Sequence, residues 1–302
     1  MFGTLLDKTT GWLGQRLVTT VLLPALAFWA GVAALLATHF GWPRVGAWWK
    51  AADGLRQVLV AGGAVTGLVL FALLVQSLLP AVIRAYEGYW LLRRPWRGVG
   101  GLLVRRHRNR WDKLDLADPR VFAHRYRYLP PDRSGLLPTR LGNALRAAEL
   151  YVSDERRYGI DAVFFWPRLH ALLPEALRQS LSAARAGVEQ MLVVASLAVV
   201  LSVTTLVFAF TLRVPVAVWV PVAAGGLVLA FAAHRGAVGA AGSYGELVRS
   251  AFDTHRMSLV DSMGYRRPAS PEDERALWKA ISQQLYRRDA DQPDLLRYNT
   301  EA

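Results

Sequence analysis

Long uncharged apolar runs alternate with charged, polar segments along this chain. Four runs without Asp, Glu, Lys or Arg cover Leu17–Pro43, Gln57–Ile83, Gln190–Leu212 and Val214–Ala233, with 27, 27, 23 and 20 residues. A helix that crosses the hydrocarbon core of a bilayer needs about 20 predominantly apolar residues. The pattern therefore predicts an all-α integral membrane protein with four transmembrane helices in two hairpins and a mainly helical cytoplasmic domain.

The polar segments divide the rest of the chain. We expect a cytoplasmic N-terminal segment, a basic cytoplasmic domain after the second span, and a helical stalk with a C-terminal helix after the fourth. The predicted boundaries are 1–16 for the N-terminal segment, 17–43 and 57–83 for the first two spans, 84–189 for the basic domain, 190–212 and 214–233 for the last two spans, and 234–302 for the stalk and C-terminal helix.

The distribution of basic residues predicts the orientation. The formal net charge is +13, and 32 of the 36 basic residues fall in the N-terminal, middle and C-terminal segments, which four spans place on one side. Basic residues near membrane spans favour the cytoplasmic side. Only four of the 36 are lysine, and this arginine-rich composition is typical of a high-GC genome. We therefore expect a plasma membrane or bacterial inner membrane protein with both termini in the cytoplasm.

The segment 84–113 combines arginines with aromatic residues. This composition is typical of a segment that lies on an anionic inner leaflet. The alternatives are a plain solvated face and nucleic-acid binding, and the lipid interpretation is favoured over both. The candidates for lipid headgroup contact are Trp90, Trp96, Arg93, Arg94 and Arg97.

Several local signals predict helix ends outside the spans. Thr139 is a good N-cap after Pro138, Pro174 can open the third long helix, and Gly264 can end the fourth. Ser270 followed by Pro271 and three acids predicts the start of the last helix. The stretch 112–134 has the turn residues of a loop, and 160–166 fits either a short strand or a buried helical turn.

No catalytic or metal site is predicted. The chain has no cysteine, which excludes disulfides and thiolate chemistry, and its six histidines are not at metal-ligand spacing. P-loop, dinucleotide-binding and HExxH motifs are absent from the sequence. Ser243 has the glycine neighbours of a degenerate nucleophile elbow, but a helix rich in small residues explains them better. We expect neither enzyme activity nor a cofactor.

Small and basic residues mark two further kinds of candidate site. Glycines within helices allow close helix packing, and the candidates are Gly62, Gly63, Gly67, Gly239 and Gly242. Four arginines in the basic domain form either a salt-bridged core or a site for a partner or an anion such as a phosphate-bearing signal. These arginines are Arg140, Arg146, Arg157 and Arg168.

The spans favour a channel over a pump. They contain no Asp, Glu, Lys or Arg, whereas proton pumps and coupled transporters usually keep charged groups within the membrane. A ring of identical subunits can enclose a pore that a hydrophobic constriction gates. We therefore predict a homo-oligomeric channel with a basic, anion-favouring cytoplasmic vestibule, lined in part by Gln76 and Ser77.

Other hypotheses remain. A membrane-anchored adaptor could recruit a soluble cytoplasmic protein through the apolar face of its last helix, which carries Leu277, Trp278, Ile281 and Leu285. A third hypothesis joins a pore to a trigger, as an effector that permeabilises the membrane when a cytoplasmic signal arrives. A lipid-modifying enzyme is the least favoured, because a catalytic set is missing.

Overall fold

The protein is almost entirely helical. The computed structural model describes residues 18–115, 117–288 and 291–298. Helix accounts for 82% of the structure, and the described residues form no strand, so the all-α prediction is confirmed. The predicted N-terminal segment 1–16 and Leu17, where the first predicted span begins, lie outside the described residues.

Ten α-helices follow one another along the described chain, and a π-helical turn at Val18–Leu22 leads into the first. They are α1 Leu23–Phe40, α2 Trp42–Ala51, α3 Gly54–Glu87, α4 Arg97–Asp112, α5 Pro119–Tyr128, α6 Arg140–Ser153, α7 Ala162–Leu172, α8 Glu175–Thr211, α9 Val216–Ser262 and α10 Pro271–Arg287.

Four helical stretches are long and apolar enough to cross a membrane. They are Val18–Phe40, Gly54–Glu87, Glu175–Thr211 and Val216–Ser262, with mean hydropathies of 2.1, 2.6, 2.5 and 2.2 in their most apolar windows. The prediction of four helices with the length and composition of membrane spans is confirmed.

The described chain forms two compact units. The first, here called the apolar unit, contains residues 18–83 and Ala186–Ala237, and the second, the basic unit, contains Arg84–Arg185 and 238–298. Helices α3, α8 and α9 contribute residues to both.

The apolar unit is held together by a cluster of side chains from α1, α3 and α8. Phe28 stacks on Phe71 with ring centroids 5.7 Å apart, and Ala72 is fully buried beside them. Between α8 and α9, the Ser202 hydroxyl donates to the Ala223 carbonyl at 3.0 Å. Packing and interhelical hydrogen bonds of this kind are what stabilises helix association in an apolar solvent.

The basic unit has an aromatic core. Trp278 of α10 is fully buried and meets Phe165 of α7 edge to face at 5.3 Å, and Phe252 of α9 is buried in the same cluster. The Trp278 indole N–H donates to Glu274, which also accepts from Arg256 at 2.7 Å. This unit thus has apolar faces inside and paired charges at its edge.

The predicted helix ends are confirmed where the signal was a local cap. Thr139 Oγ1 accepts from the Gly142 N–H at 3.0 Å, and Ser270 Oγ accepts from the Asp273 N–H at 3.1 Å. Helix α8 begins directly after Pro174, and α9 ends two residues before Gly264, whose φ is +76°. A left-handed glycine after the last turn is a common helix terminator.

Two segments differ from the prediction, and in a third the structure decides between two predicted forms. The stretch 112–134 contains helix α5, because Asp118 caps its start by accepting from the Arg120 N–H at 2.8 Å. For the stretch 160–166 the helical one of the two predicted forms is correct, since Asp161 caps α7, which continues through Pro167. The loop between the first two apolar runs contains α2, whose residues are all exposed.

Candidate functional site

Helix α3 packs within the apolar unit on one face only. In its most apolar window 6% of the residues are buried, against 33%, 33% and 22% in the other three long apolar stretches. The packed face carries Phe71, Ala72, Val75 and Leu79, which all belong to the core cluster or pack against it. Most other residues of this 34-residue helix are exposed.

The opposite side of α3 carries two hydroxyl residues and a glycine among leucines. A helix turns by about 100° per residue, which places Thr66, Leu70 and Ser77 about 180° from the packed face, with Gly63 close to them. All four are exposed. We call them the free face. No heavy atom of another described element lies within 4 Å of a Cβ built at Gly62, Gly63 or Gly67, so these glycines make no close helix contact within the chain.

The predicted pore-lining residues are both exposed on α3. The Ser77 hydroxyl donates to the Leu74 carbonyl of its own helix at 2.8 Å, so its hydrogen-bonding capacity is partly used. Gln76 is exposed as well, and it lies about a quarter of a turn around the helix from both the free face and the packed face. The other predicted glycines differ from each other. A Cβ at Gly242 would meet the Tyr128 ring at 2.5 Å, whereas Gly239 has nothing within 4 Å.

The predicted lipid-contact residues form an exposed surface in the basic unit. Trp90 and Trp96 are 44% and 51% exposed, and their rings meet edge to face at 5.7 Å. Their arginine neighbours are exposed as well; these are Arg93, Arg94 and Arg97. Exposed aromatic rings beside exposed arginines are typical of protein surfaces at a bilayer interface.

The structure does not bring the four candidate arginines together in one pocket. Arg146 donates to the Tyr89 hydroxyl at 3.1 Å, and Arg168 lies over the Phe164 ring at 4.1 Å while donating to the Phe164 carbonyl. Arg140 is exposed near the start of α6. Only Arg157 lines the cavity described next.

A cavity of about 450 Å³ lies in the basic unit between α5, α6 and the turn after α6. Its cationic residues are Arg125, Arg156 and Arg157, and Asp154 is the one carboxylate among its described lining residues. The aromatic residues are Phe122, Tyr126 and Tyr151, with leucine, proline and alanine side chains between them.

The three arginines of the cavity differ in how their charge is balanced. Arg156 is paired twice with Asp154 at 3.0 Å and also with Asp132 at 3.1 Å. Burial alone would raise the pKa of Asp154, but the hydrogen bonds and charge of Arg156 outweigh it, so this pKa is lowered. Asp154 is therefore ionised at neutral pH and cancels the charge of Arg156.

The other two arginines lack a carboxylate bonded to them in the structure. Arg157 lies over the Tyr151 ring at 4.1 Å and donates to its hydroxyl at 3.0 Å. Arg125 lies over the Trp111 ring at 4.2 Å and donates to the Pro131 carbonyl at 3.0 Å. Both therefore keep a net positive charge at the cavity.

A buried guanidinium lies behind the aromatic walls of the cavity. Arg249 of α9 is 2% exposed, and its guanidinium carbon lies 4.4 Å from the Tyr126 ring centroid and 5.5 Å from that of Tyr151. None of its three guanidinium nitrogens has a hydrogen-bond partner among the described residues. Burial lowers its pKa, and the nearby Tyr126, Glu246 and Tyr151 oppose this only in part.

The nearest acids to Arg249 are engaged elsewhere. Glu246, one turn earlier on α9, pairs with Arg127 at 3.4 Å. Asp253, one turn later, accepts from the Tyr158 hydroxyl at 2.8 Å and from the Tyr151 hydroxyl. The positive charge behind the cavity is thus stabilised by aromatic faces and not by a carboxylate of its own.

The apolar face of α10 is not free for a partner. Leu277, Trp278 and Ile281 are at most 3% exposed and pack in the core of the basic unit, and only Leu285, at 44%, is exposed. A soluble protein could not dock on this face without opening the core.

Sequence reasoning missed Arg125, Arg156 and Arg249 as parts of one site. They lie on α5, in the turn after α6, and on α9, far apart in the chain, and no spacing rule links them. Within residues 18–115, 117–288 and 291–298, no three metal-ligating side chains come together. Comparison of the chain with protein-family models, curated proteins and solved structures gives no match.

Proposed function

We propose that the chain is a multi-pass membrane protein that assembles with further copies of itself into a channel or pore with a basic, anion-favouring cytoplasmic side. The observation that carries this proposal is the free face of α3. It holds Gly63 and Thr66 at positions where a second helix can approach closely, and none of the described residues of its own chain covers it.

A second copy of the chain is the occupant that best fits this face. The uncharged part of α3, residues 57–83, is centred on Leu70. Gln76 then lies about 9 Å along the helix from the middle of a hydrocarbon core about 30 Å thick. A side-chain amide costs free energy in hydrocarbon unless it finds a polar partner. Contact with a neighbouring subunit, or with water in a pore between subunits, provides that partner.

The charge distribution supports an anion-favouring conduit. The four apolar runs 17–43, 57–83, 190–212 and 214–233 hold no Asp, Glu, Lys or Arg, whereas the basic unit carries most of the net positive charge. Fixed positive charge near one mouth of a pore raises the local concentration of anions. An effector that opens such a pore on a cytoplasmic signal is the more specific form of this proposal.

The stoichiometry of the particle tests the proposal first. Native mass measurement and electron-microscope class averages of the protein in lipid nanodiscs should show a closed ring of four or more subunits. A monomer or dimer without a central conduit would contradict the proposal and favour a membrane-anchored adaptor instead.

Conductance measurements then test the predicted lining. In a planar bilayer, Gln76→Glu should lower the permeability of anions relative to cations, because it places a negative charge in the pore. Gln57→Glu adds the same charge at the other end of α3, where the Gln57 amide bonds the Trp49 carbonyl at 3.0 Å, and should have the smaller effect. Equal effects, or a wild-type protein that does not conduct, would count against a pore lined by Gln76.

A further inference from the structure

We propose that the cavity between α5 and α6 is a binding site for a small phosphate-bearing ligand with an aromatic ring, of the nucleotide class. The site lies wholly within the basic unit. The inference goes beyond the proposed pore and does not depend on it, because binding to the chain can be measured whether or not the protein conducts.

The size and walls of the cavity fit such a ligand. Small-molecule pockets are typically about 300–1,000 Å³, mostly apolar, with a few polar groups that fix the ligand's orientation. This cavity is about 450 Å³. Phe122 lines it and is 53% exposed, so that its ring is available for stacking. Leu129, Pro130 and Ala147 complete an apolar lining that a bare inorganic ion would leave unused.

The charge of the cavity favours an anion. Three arginines face one carboxylate, and that carboxylate is already bonded to Arg156. Arg157 and Arg125 have hydrogen bonds only to a hydroxyl and a carbonyl, which are weaker partners than a phosphate. The planar guanidinium group is the side chain best suited to bind phosphate oxygens in pairs.

Arg249 adds a second, independent observation. A buried cation without a carboxylate partner is costly in the ligand-free protein, and an anion in the adjoining cavity would reduce that cost. Tyr126 and Tyr151, whose rings this guanidinium contacts, both line the cavity. The guanidinium itself is buried, so water screens its charge less than that of an exposed arginine.

An acidic peptide fits less well than a nucleotide. The cavity is lined by eleven residues from one short stretch of chain, Phe122 to Arg157, and has the volume of a single small molecule. A peptide would need an extended groove, and its recognition usually relies on an exposed strand edge or an apolar helix groove.

Isothermal titration tests the proposal with the full chain in phosphatidylcholine nanodiscs. The probes are AMP, GMP, CMP and UMP, with inorganic phosphate and glycerol 3-phosphate as ring-free references. At least one nucleotide should bind with a Kd below about 100 µM, and about tenfold more tightly than either reference. If no nucleotide binds, or if glycerol 3-phosphate binds as tightly, the nucleotide assignment is overturned.

Variants locate the binding. Arg157→Gln should weaken nucleotide binding at least about tenfold, because it removes a charge-assisted contact. Arg168→Gln is the matched control, since Arg168 also lies 4.1 Å over an aromatic ring in the same unit but does not line the cavity. Equal losses in the two variants would place the ligand elsewhere.

Two further variants keep the test decisive if Arg157→Gln does not fold. Asp154→Asn removes the cavity's carboxylate and should strengthen binding severalfold, while the amide oxygen can still accept from the Arg156 N–H that Asp154 caps at 2.9 Å. Phe122→Ala should weaken the binding of nucleotides and leave the binding of inorganic phosphate unchanged. If both variants bind nucleotides as tightly as the wild type does, the assignment of the site is overturned.

Discussion

Arg249 has the environment least suited to its charge among the described residues of the basic unit. Its guanidinium is almost fully buried between two tyrosine rings, and its nearest acids are paired with other groups. Arg256, two turns along the same helix, shows the opposite case. Burial alone would lower the pKa of Arg256, but its bond to Glu274 and that carboxylate's charge outweigh burial and raise the pKa.

The two arginines should therefore respond in opposite ways to the same substitution. Arg249→Met replaces an uncompensated buried cation by an apolar side chain of similar length and should raise the free energy of unfolding by about 1–2 kcal/mol in the absence of ligand. Arg256→Met leaves Glu274 without its cationic partner and should lower the free energy of unfolding by about 2–3 kcal/mol. Thermal unfolding followed by tryptophan fluorescence measures both. A fall of similar size in both variants would mean that Arg249 is stabilised by contacts other than those described.

At the scale of single helices, the sequence predicted what local chemistry determines. Ser270 with Pro271 defines the start of α10, and Thr139 that of α6, because a cap needs only neighbouring residues. Asp118 with Pro119 carries the same kind of signal, yet its many neighbouring turn residues indicated a loop, and α5 was missed. An Asp-Pro pair before aromatic and arginine residues is thus a signal for a helix start of the same kind as Ser-Pro.

The cavity was out of reach of sequence reasoning for a different physical reason. Arg125, Arg157 and Arg249 come together only through the packing of α5, α6 and α9. The length of the apolar runs likewise predicted four long helices but not which faces pack. Gly63 and Gly242 looked equivalent in the sequence, whereas only Gly242 has a close neighbour within the chain.

Helix α9 offers a matched pair of glycines to test the packing of α5. Gly242→Ala puts a methyl group against the Tyr128 ring and should destabilise the protein by about 1–2 kcal/mol, since overpacking typically costs 1–3 kcal/mol. Gly239→Ala meets open space and should stabilise α9 by up to about 1 kcal/mol through helix propensity. The difference in melting temperature between the two variants is the measurement, and equal melting temperatures would contradict the α5–α9 contact.

The molecule as a whole is expected to cross the membrane four times with both termini in the cytoplasm. The chain has no cysteine, so a single introduced cysteine reports its own accessibility without background. Lys50→Cys in α2 should react with a membrane-impermeant maleimide added to intact cells. Glu155→Cys in the basic unit should react only after lysis. Labelling of both positions, or the reverse pattern, would contradict this topology.

The chain passes between the apolar and basic units at three places, and each lies inside an unbroken helix. The boundaries at 83/84, 185/186 and 237/238 fall within α3, α8 and α9. A loop-seeking protease therefore finds no exposed linker at which to release one unit intact. A gene fragment encoding the basic unit alone would begin and end in severed helices, whose last backbone N–H and C=O groups lose their partners. Purification strategies should accordingly keep the whole chain.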